Sequence, residues 1–173
     1  MISFTNTPYT VNGHVILRLP HEQSALLTSR SQIMATGVIG GDAFTGPVEP
    51  DGYGGHWIDV TNLSQVKGTT LPVAVAIEQT NEWPEPSMPQ EFLTMLAENP
   101  AAKTTYDKAT TKAHWEWLRW TLATKNPATY AKHIEVSRSK LTKGMRRPCC
   151  FNRAACTVAD VAKNARLIEQ KQE

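Results

Sequence analysis

The residues best suited to chemistry are basic side chains in the last third of the sequence. Arg146, Arg147 and Arg153 follow a lysine-bearing stretch that contains Lys132 and Lys140. Guanidinium groups at a turn after a helix suit phosphate or carboxylate, because their donors match two anionic oxygens at once. The sequence therefore predicts a cationic surface for an acidic macromolecule or peptide. The predicted binding residues are Lys132, His133, Lys140, Arg146, Arg147 and Arg153.

Nucleic acid is the alternative ligand of this surface, because Phe151 offers a ring on which a base could stack. The sequence contains no basic motif of a known nucleic-acid reader, and its isoelectric point near 8.5 is below that of a dedicated binder. Weak nucleic-acid binding is therefore less favoured than binding of an acidic protein or peptide. A basic face that serves only solubility is a further alternative.

Three cysteines, Cys149, Cys150 and Cys156, lie close together in the sequence. With His133 they have the ligand types of a zinc site, but zinc sites use cysteine pairs separated by about two to four residues. No metal is predicted, and packing of the thiols in a core is the favoured interpretation, with redox and metal roles left open. The odd number and the crowding indicate a reducing compartment such as the cytoplasm.

The most glycine-rich stretch is DGYGGH, from Asp51 to His56. A phosphate-binding loop needs glycine N–H groups directed at the phosphate and a helix immediately after the loop. Here the following residues, HWIDV, have strand composition, and no Lys-Ser or Lys-Thr pair is present. Glycines that permit a wide turn are the favoured interpretation, and a nucleotide loop is the alternative.

No catalytic arrangement is recognisable in the sequence. The five histidines are scattered, and none lies in a known nucleophile motif. No catalytic residue and no cofactor are therefore predicted, and His114 is interpreted as a core histidine bonded to a neighbour. The alternative is an enzyme or small-ligand binder whose pocket, at the junction of the β and helical parts, is lined by Trp57, Trp115 and Trp117.

The first half of the chain has the punctuation of β structure. Asn12 and Gly13 separate two short apolar runs, and this dipeptide is the strongest two-residue hairpin signal. Gly40 and Gly41 predict a second hairpin between strands at 32–39 and 43–48. Short strands at this spacing favour a small barrel, because a barrel leaves no unpaired edge. The remaining predicted elements are strands at 56–60 and 71–78 and a short helix at 21–30.

The second half predicts helices. Ser87 has capping-box spacing to Gln90, and Asn99 and Asn126 each precede a proline, as N-caps often do. A helix over 110–124 holds three of the five tryptophans. On a helical wheel its Lys112, Glu116 and Arg119 share one narrow face, which is predicted to be solvated. A last helix is predicted at 157–170, where Thr157 and Asp160 again have capping-box spacing.

The two parts of the chain carry net charges of opposite sign. The net charge of +2 is the sum of an acidic first part, −7 over residues 1–100, and a basic second part, +9 over residues 101–173. This asymmetry indicates an acidic partner for the second part or attraction between the parts. No run approaches the length of a membrane helix and the N-terminus lacks signal-peptide features, so we expect a cytoplasmic protein without membrane insertion.

These patterns predict an α+β protein in which a small N-terminal β-barrel packs against a C-terminal helical subdomain. The expected organisation is a barrel at 8–80, a proline-rich linker at 81–89, a helical subdomain at 90–156 and a C-terminal helix or tail at 157–173.

Several local sequences also resemble a known family. MPQEFLTMLAENPAAKTTYDKATTKAHWEWLRWTLATKNPATYAKHI, with KLTKGMRRPCCFNR behind it, resembles the YdeI or OmpD-associated family of bacterial proteins. HVILRLP, GPVEPDGYGGHWIDV and LPVAVAIE are similar to the small β-domain often fused ahead of it. The resemblance implies a β-barrel of the double-split type before a helical subdomain, and an association with resistance to antimicrobial peptides and bacteriocins.

The resemblance implies no catalytic residue and no cofactor. Where the family's fourth helix tends to begin with an arginine cluster, this chain has Tyr130, Lys132 and His133, which keep positive charge without the bidentate fork of arginine. We therefore expect a non-enzymatic binding or stress-protection protein that uses its basic C-terminal face.

Overall fold

The computed structural model describes residues 1–149 and 151–170, which form two units. The β unit comprises Met1–Glu82, Asn152–Cys156 and the described residues from Asp160 onward, and the helical unit comprises Trp83–Phe151 and Thr157–Ala159. A seven-stranded sheet in the first unit and four helices in the second confirm the predicted α+β class.

All the strand pairs in the β unit are antiparallel, and the sheet curls into a half-barrel. Its order is β1-β7-β4-β5-β6-β3-β2. The long strand β5 pairs with β4 along its first part and with β6 through Glu49 and Pro50. The strands are β1 (Ile2–Asn6), β2 (Tyr9–Val11), β3 (His14–Arg18), β4 (Ile33–Ile39), β5 (Asp42–Pro50), β6 (His56–Asp59) and β7 (Val73–Thr80), and a short helix, α1 (His21–Ala25), follows β3.

Both predicted hairpins are confirmed. Asn12 and Gly13 have φ values of 48° and 87°, and Gly40 and Gly41 have 60° and 96°. Two consecutive positive φ values define the turn that matches the right-handed twist of paired strands. The asparagine and the glycines adopt this conformation at little steric cost, so the local sequence fixes both turns.

The inner face of the sheet forms one apolar core. Alternate residues of the strands are buried because successive side chains of a strand point to opposite faces. Burying each large aliphatic side chain stabilises the fold by about 1.5–3 kcal/mol. The fully buried members of this core include Leu17, Ile39, Val48, Ile58, Val60 and Val66.

The strand β1 lies before the predicted start of the barrel at residue 8. It pairs with β7, from Ile2 opposite Ile77 to Asn6 opposite Val73. Ile2 is buried while Ser3 and Thr5 are exposed, so the segment has the two-residue alternation of a half-buried strand. The first residues of the chain therefore complete the sheet.

The helix predicted at 157–170 is wrong. This part of the chain instead forms a small hairpin of β8 (Ala162–Lys163) and β9 (Arg166–Leu167) around Asn164 and Ala165, which have φ values of 52° and 61°. Leu167 is buried, and its N–H donates to the Asp51 carbonyl at 2.8 Å. Capping-box spacing is a local signal, and these tertiary hydrogen bonds override it.

The helical unit contains α2 (Gln90–Glu98), α3 (Pro100–Asp107), α4 (Thr111–Leu122) and α5 (Pro127–Thr142). Asn126 caps α5 as predicted, because its side chain accepts the Thr129 N–H at 3.0 Å.

The capping box predicted at Ser87 is wrong, because α2 begins after Pro89 and has no side-chain cap. Asn99 precedes the first residue of α3, Pro100, as predicted, and its carbonyl accepts the Lys103 N–H at 3.0 Å. Its side chain does not cap α3 and instead donates to the Met95 carbonyl of α2 at 2.7 Å.

The core of the helical unit is aromatic. Phe92, Trp117 and Leu141 are fully buried, and Tyr106 packs its ring against that of Phe92 with centroids 5.6 Å apart. These residues come from α2, α3, α4 and α5, so all four helices share one core. No helix within the part of the chain that the structure describes combines the length and apolar character needed to cross a bilayer.

Replacing Gly37 in β4 by alanine should strongly destabilise the β unit. An added Cβ would lie 2.1 Å from the Ala76 carbonyl oxygen and 2.8 Å from the Ile77 Cα, which are backbone atoms that cannot move independently of the sheet. We expect a loss of about 3 kcal/mol in the free energy of unfolding, measured by urea denaturation.

The matched control is Gly68→Ala, at a position with φ of 77° and no atom within 4 Å of the added Cβ. It should cost about 1 kcal/mol, from the backbone alone. Equal losses in the two variants would contradict the close approach of β4 to β7.

Candidate functional site

The face of α4 predicted to be solvated is mostly buried. Glu116 is 3% and Arg119 is 5% exposed, and only Lys112 of the three residues faces solvent. A helical wheel identifies which residues share a face, but it does not say what covers that face. Here the chain that follows α5 supplies a partner for the buried carboxylate of Glu116.

Arg147 forms a bidentate ion pair with Glu116. Its Nε donates to Glu116 Oε2 at 2.7 Å, and its Nη2 donates to Oε1. The hydrogen bonds that Arg147 donates to the Glu116 carboxylate raise the pKa of Arg147, outweighing the opposing effect of burial. This arginine was predicted to bind an external anion, but its guanidinium is already matched to a carboxylate of its own unit.

Arg119 is also engaged inside the helical unit. Its Nε donates to Thr157 Oγ1 at 3.1 Å, and its guanidinium lies over the Phe151 ring, 5.6 Å from the centroid. Phe151 is therefore covered on one side by a cation of the same unit. The stacking face proposed for a nucleic-acid base is shared with this guanidinium.

Lys140 lies in a compact group of side chains that we call the Trp120 cluster, made of Trp120, His133, Lys140, Cys149 and Phe151. The Lys140 ammonium is 5.5 Å from the centroid of the Trp120 ring and donates to Cys149 at both its carbonyl oxygen, 3.3 Å, and its Sγ, 2.9 Å. On the indole, His133 stacks at 4.3 Å with 23° between the planes, and Phe151 tilts at 6.3 Å. Lys140 is thus held by an aromatic face and a sulfur atom.

Two polar atoms of the Trp120 cluster are buried without a hydrogen bond. Within residues 1–149 and 151–170, neither Nδ1 of His133 nor Nε1 of Trp120 has a partner. Buried polar atoms in native proteins are nearly always bonded, and an unbonded one calls for a partner such as an ordered water, an ion or a ligand.

The remaining predicted cations, Lys132, Arg146 and Arg153, are exposed. Lys132 lies on α5, and Arg146 follows its C-terminal end. Lys143, which was not among the predicted binding residues, is also exposed there. Another basic residue of α5, Arg138, is paired with Glu135. Arg153 belongs to a segment of the β unit, so the structure does not group it with the others in one unit. The predicted set therefore divides into two groups. The inward cations, Lys140 and Arg147, contact groups of their own unit, and the outward cations, Lys132 and Arg146, have side chains exposed to solvent.

The three tryptophans predicted to line a pocket are engaged within their own units. Trp57, in the β unit, is fully buried and donates to the Pro50 carbonyl at 3.2 Å. Trp117, in the helical unit, is fully buried and donates to the Arg146 carbonyl at 3.0 Å. Trp115 is partly buried and donates to the Pro84 carbonyl at 2.7 Å.

His114 is a core histidine, as predicted. It is 8% exposed and stacks on Tyr106 with ring centroids 3.9 Å apart. Its Nε2 lies 2.9 Å from the Tyr106 carbonyl oxygen and its Nδ1 lies 2.5 Å from a Glu85 oxygen. Both ring nitrogens are therefore used to hold the segment before α2 and the end of α3 against α4.

The glycine-rich turn is built around the buried carboxylate of Asp51. Its Oδ1 accepts the N–H groups of Tyr53 at 2.7 Å and Gly55 at 2.8 Å, and its Oδ2 accepts from Arg18 at 2.8 Å. These N–H groups would have to bind a phosphate in a nucleotide loop. The loop instead binds an anion of its own chain, which supports the interpretation as a wide turn.

The same contacts determine the charge of Asp51. Burial opposes ionisation, but the hydrogen bonds from Arg18, Tyr53 and Gly55 outweigh it and hold the pKa of Asp51 below its ordinary value. A Cβ on Gly52 would lie 2.3 Å from the Ala165 carbonyl oxygen, so the turn packs closely against the β8-β9 hairpin at this position. Asp51 thereby organises both the turn and the last strand.

The cysteines are divided between the units. Cys156 is 3% exposed in the β unit, which confirms the core interpretation for this residue, whereas Cys149 is only partly buried in the helical unit. Cys150 lies outside the described residues. Among residues 1–149 and 151–170, no group of three or more His, Cys, Asp or Glu side chains could hold a metal ion.

A cleft of about 550 Å³ on the β unit was not predicted from the sequence. It lies between the β1-β2 connection, strand β2 and the end of the described chain, so only the folded chain brings its walls together. Its walls are residues 7–12, 69–70 and 168–170.

Removing either member of the Glu116–Arg147 pair should destabilise the helical unit by different amounts. Arg147→Met leaves a carboxylate that is almost fully buried without its arginine, and should cost about 3 kcal/mol. Glu116→Gln leaves a guanidinium that is half exposed and can be hydrated, and should cost about 1 kcal/mol. Urea denaturation of both variants measures the difference.

Arg138→Met is the matched control for this comparison, because it removes an arginine from an exposed pair on α5. It should leave the free energy of unfolding almost unchanged, because an ion pair between solvent-exposed side chains contributes little. A similar loss for Arg138→Met and Arg147→Met would show that burial of Glu116 does not matter.

Asp51→Asn should lower the stability of the β unit by about 3 kcal/mol at neutral pH, because a buried ion pair loses its charge. Since the folded pKa of Asp51 is lowered, its stabilisation is present above about pH 4 and is lost as the pH falls. The difference between variant and wild type should therefore shrink below about pH 4.

Glu169→Gln is the control here, since Glu169 also contacts Arg18, at 3.2 Å, but is largely exposed. We expect a change below about 0.5 kcal/mol with no comparable pH dependence. A pH-independent loss in Asp51→Asn would contradict the assigned role of the carboxylate charge.

Comparison with known proteins finds one similarity, which lies in the helical region. No curated protein and no solved structure matches this chain significantly. Residues 85–144, which include α2 to α5, match the family model described as "Bacteriocin-protection, YdeI or OmpD-Associated". The curled sheet ahead of them is consistent with the β-domain fused to this family. The match of residues 85–144 agrees with the resemblance predicted from the sequence, and it is a likeness of the helical region to this family.

Proposed function

We propose that the protein is a non-enzymatic binding protein whose helical unit engages an acidic protein or peptide. The observation that carries this proposal is the row of exposed cations along and after α5, namely Lys132, Lys143 and Arg146. The partner's carboxylates would be held by surface charge and not in a deep pocket. Such binding is fast and specific in orientation, and it weakens with salt.

Charge balance supports the proposal. Residues 83–151 contain eleven basic side chains against six acidic ones. Four of the acidic side chains, those of Glu85, Glu116, Glu135 and Asp107, are paired with His114, Arg147, Arg138 and Lys103 of the same unit. An excess of positive charge is therefore left to attract an anionic partner.

The exposed lysines of this surface are aligned along the axis of α5. Lys132 and Lys143 are eleven residues apart, which is close to three helical turns and brings them to the same side, about 16 Å apart. Arg146 extends the row beyond the helix. An extended acidic segment would match this row better than a compact anion such as free phosphate.

A protective role is the finer part of the proposal. The description of the family that residues 85–144 match names bacteriocin protection, and this supports a function in resistance to such peptides. The thiols of Cys149 and Cys156 are in keeping with a reducing compartment, so we place this function in the cytoplasm.

Charge reversal tests the binding surface. The probe is fluorescein-labelled poly-L-glutamate, and its affinity for the wild type, for Lys132→Glu/Lys143→Glu, and for Lys67→Glu/Lys163→Glu is measured by anisotropy. The control pair changes the charge equally on exposed residues of the β unit. We expect the α5 pair to weaken binding at least about tenfold and the control pair less than about threefold.

Two results would contradict the proposal: equal weakening by both pairs, or an affinity that does not fall as salt rises. A single-stranded oligonucleotide, measured in parallel, separates the nucleic-acid alternative. Tighter binding of the oligonucleotide than of poly-L-glutamate, with a steep dependence on salt, would favour that alternative.

A further inference from the structure

The contact between Lys140 and Cys149 has a geometry that favours charge separation. The ammonium Nζ donates to the thiol Sγ at 2.9 Å, which is short for a hydrogen bond to sulfur. A second hydrogen bond, to the Cys149 carbonyl at 3.3 Å, and the Trp120 face, 5.5 Å away, fix the lysine where it is. A positive charge held beside a sulfur atom stabilises the thiolate over the thiol.

We propose that Cys149 is a modification site, a thiolate stabilised by Lys140 that reacts with hydrogen peroxide and with small alkylating electrophiles. This proposal goes beyond the proposed binding function, because it concerns Lys140 and Cys149 and not the exposed cations along and after α5. The thiolate is the nucleophilic form of cysteine, so its population at neutral pH sets the rate of both reactions.

The reaction with peroxide is a two-electron transfer. The Cys149 Sγ attacks one oxygen of hydrogen peroxide, an S–O bond forms, and the O–O bond breaks. Sulfur is oxidised to a sulfenic acid, and the second oxygen leaves as hydroxide, which takes a proton from solvent to become water. The lysine ammonium stabilises the attacking thiolate and is not consumed.

Solvent access is consistent with this role. Cys149 is partly exposed, whereas Cys156 is 3% exposed and lies in the β unit.

The experiment measures the alkylation rate of each cysteine by iodoacetamide as a function of pH, with tandem mass spectrometry to assign the modified residue. The proteins are the wild type, Lys140→Met and Lys140→Arg, each checked for folding by circular dichroism. Cys156 is the internal control in every sample. A second measurement exposes each protein to stoichiometric hydrogen peroxide and traps sulfenic acid with dimedone.

We expect Cys149 to be alkylated at pH 7 at least about tenfold faster than Cys156, and about tenfold more slowly in Lys140→Met than in the wild type. Lys140→Arg should retain most of the rate, because it keeps the charge. Dimedone should label Cys149 and not Cys156 in the wild type.

An unchanged rate in Lys140→Met would overturn the proposal. If that variant does not fold, the wild-type profile decides: a midpoint at or above about pH 8.5, the value of an ordinary thiol, would also overturn it. So would dimedone labelling of Cys156 in preference to Cys149.

Discussion

The buried carboxylate of Glu116 is the constraint on which the charges of the helical unit depend. α4 carries this carboxylate into the interior beside Trp117, and a buried charge must be paired. Arg147 supplies the pair, and the neighbouring Arg146 carbonyl accepts the Trp117 indole N–H. The chain after α5 is therefore tied to α4 at two consecutive residues. This tie brings Cys149 within reach of Lys140 and leaves the Arg146 side chain exposed.

The β unit uses a buried carboxylate in a similar way. Asp51 takes the N–H groups of its own turn and the guanidinium of Arg18, while its carbonyl accepts from Leu167 in the last strand. In both units an arginine from a distant part of the chain completes an acidic group, so these two arginines have structural roles. A count of basic residues therefore overstates the charge that a partner could meet.

Features set by neighbouring residues could be predicted from the sequence. The turns at Asn12 and at Gly40 depend on backbone conformations that few residues adopt. The Asn126 side chain caps α5 by accepting the N–H of Thr129, which is only three residues further along the chain. Features set by distant residues could not. The helix predicted at 157–170 is replaced by strands bonded to Asp51. The pairing of Lys140 with Cys149 and of Arg147 with Glu116 likewise joins residues that are distant in the sequence. Residue type was enough to predict which basic residues could bind an anion. Only the fold shows which of them are paired within the protein and which are exposed.

The helical unit holds Lys140 inside and leaves Lys132 and Lys143 exposed, and competitive labelling of lysine amines measures this difference. Trace acetylation of the native protein, followed by peptide mass spectrometry, gives a relative rate for each lysine. Lys132 and Lys143 should react several-fold faster than Lys140, whose ammonium is held between Trp120 and Cys149. Equal rates at the three lysines would show that Lys140 also faces solvent, and would contradict both the assignment of the binding surface and the stabilised thiolate.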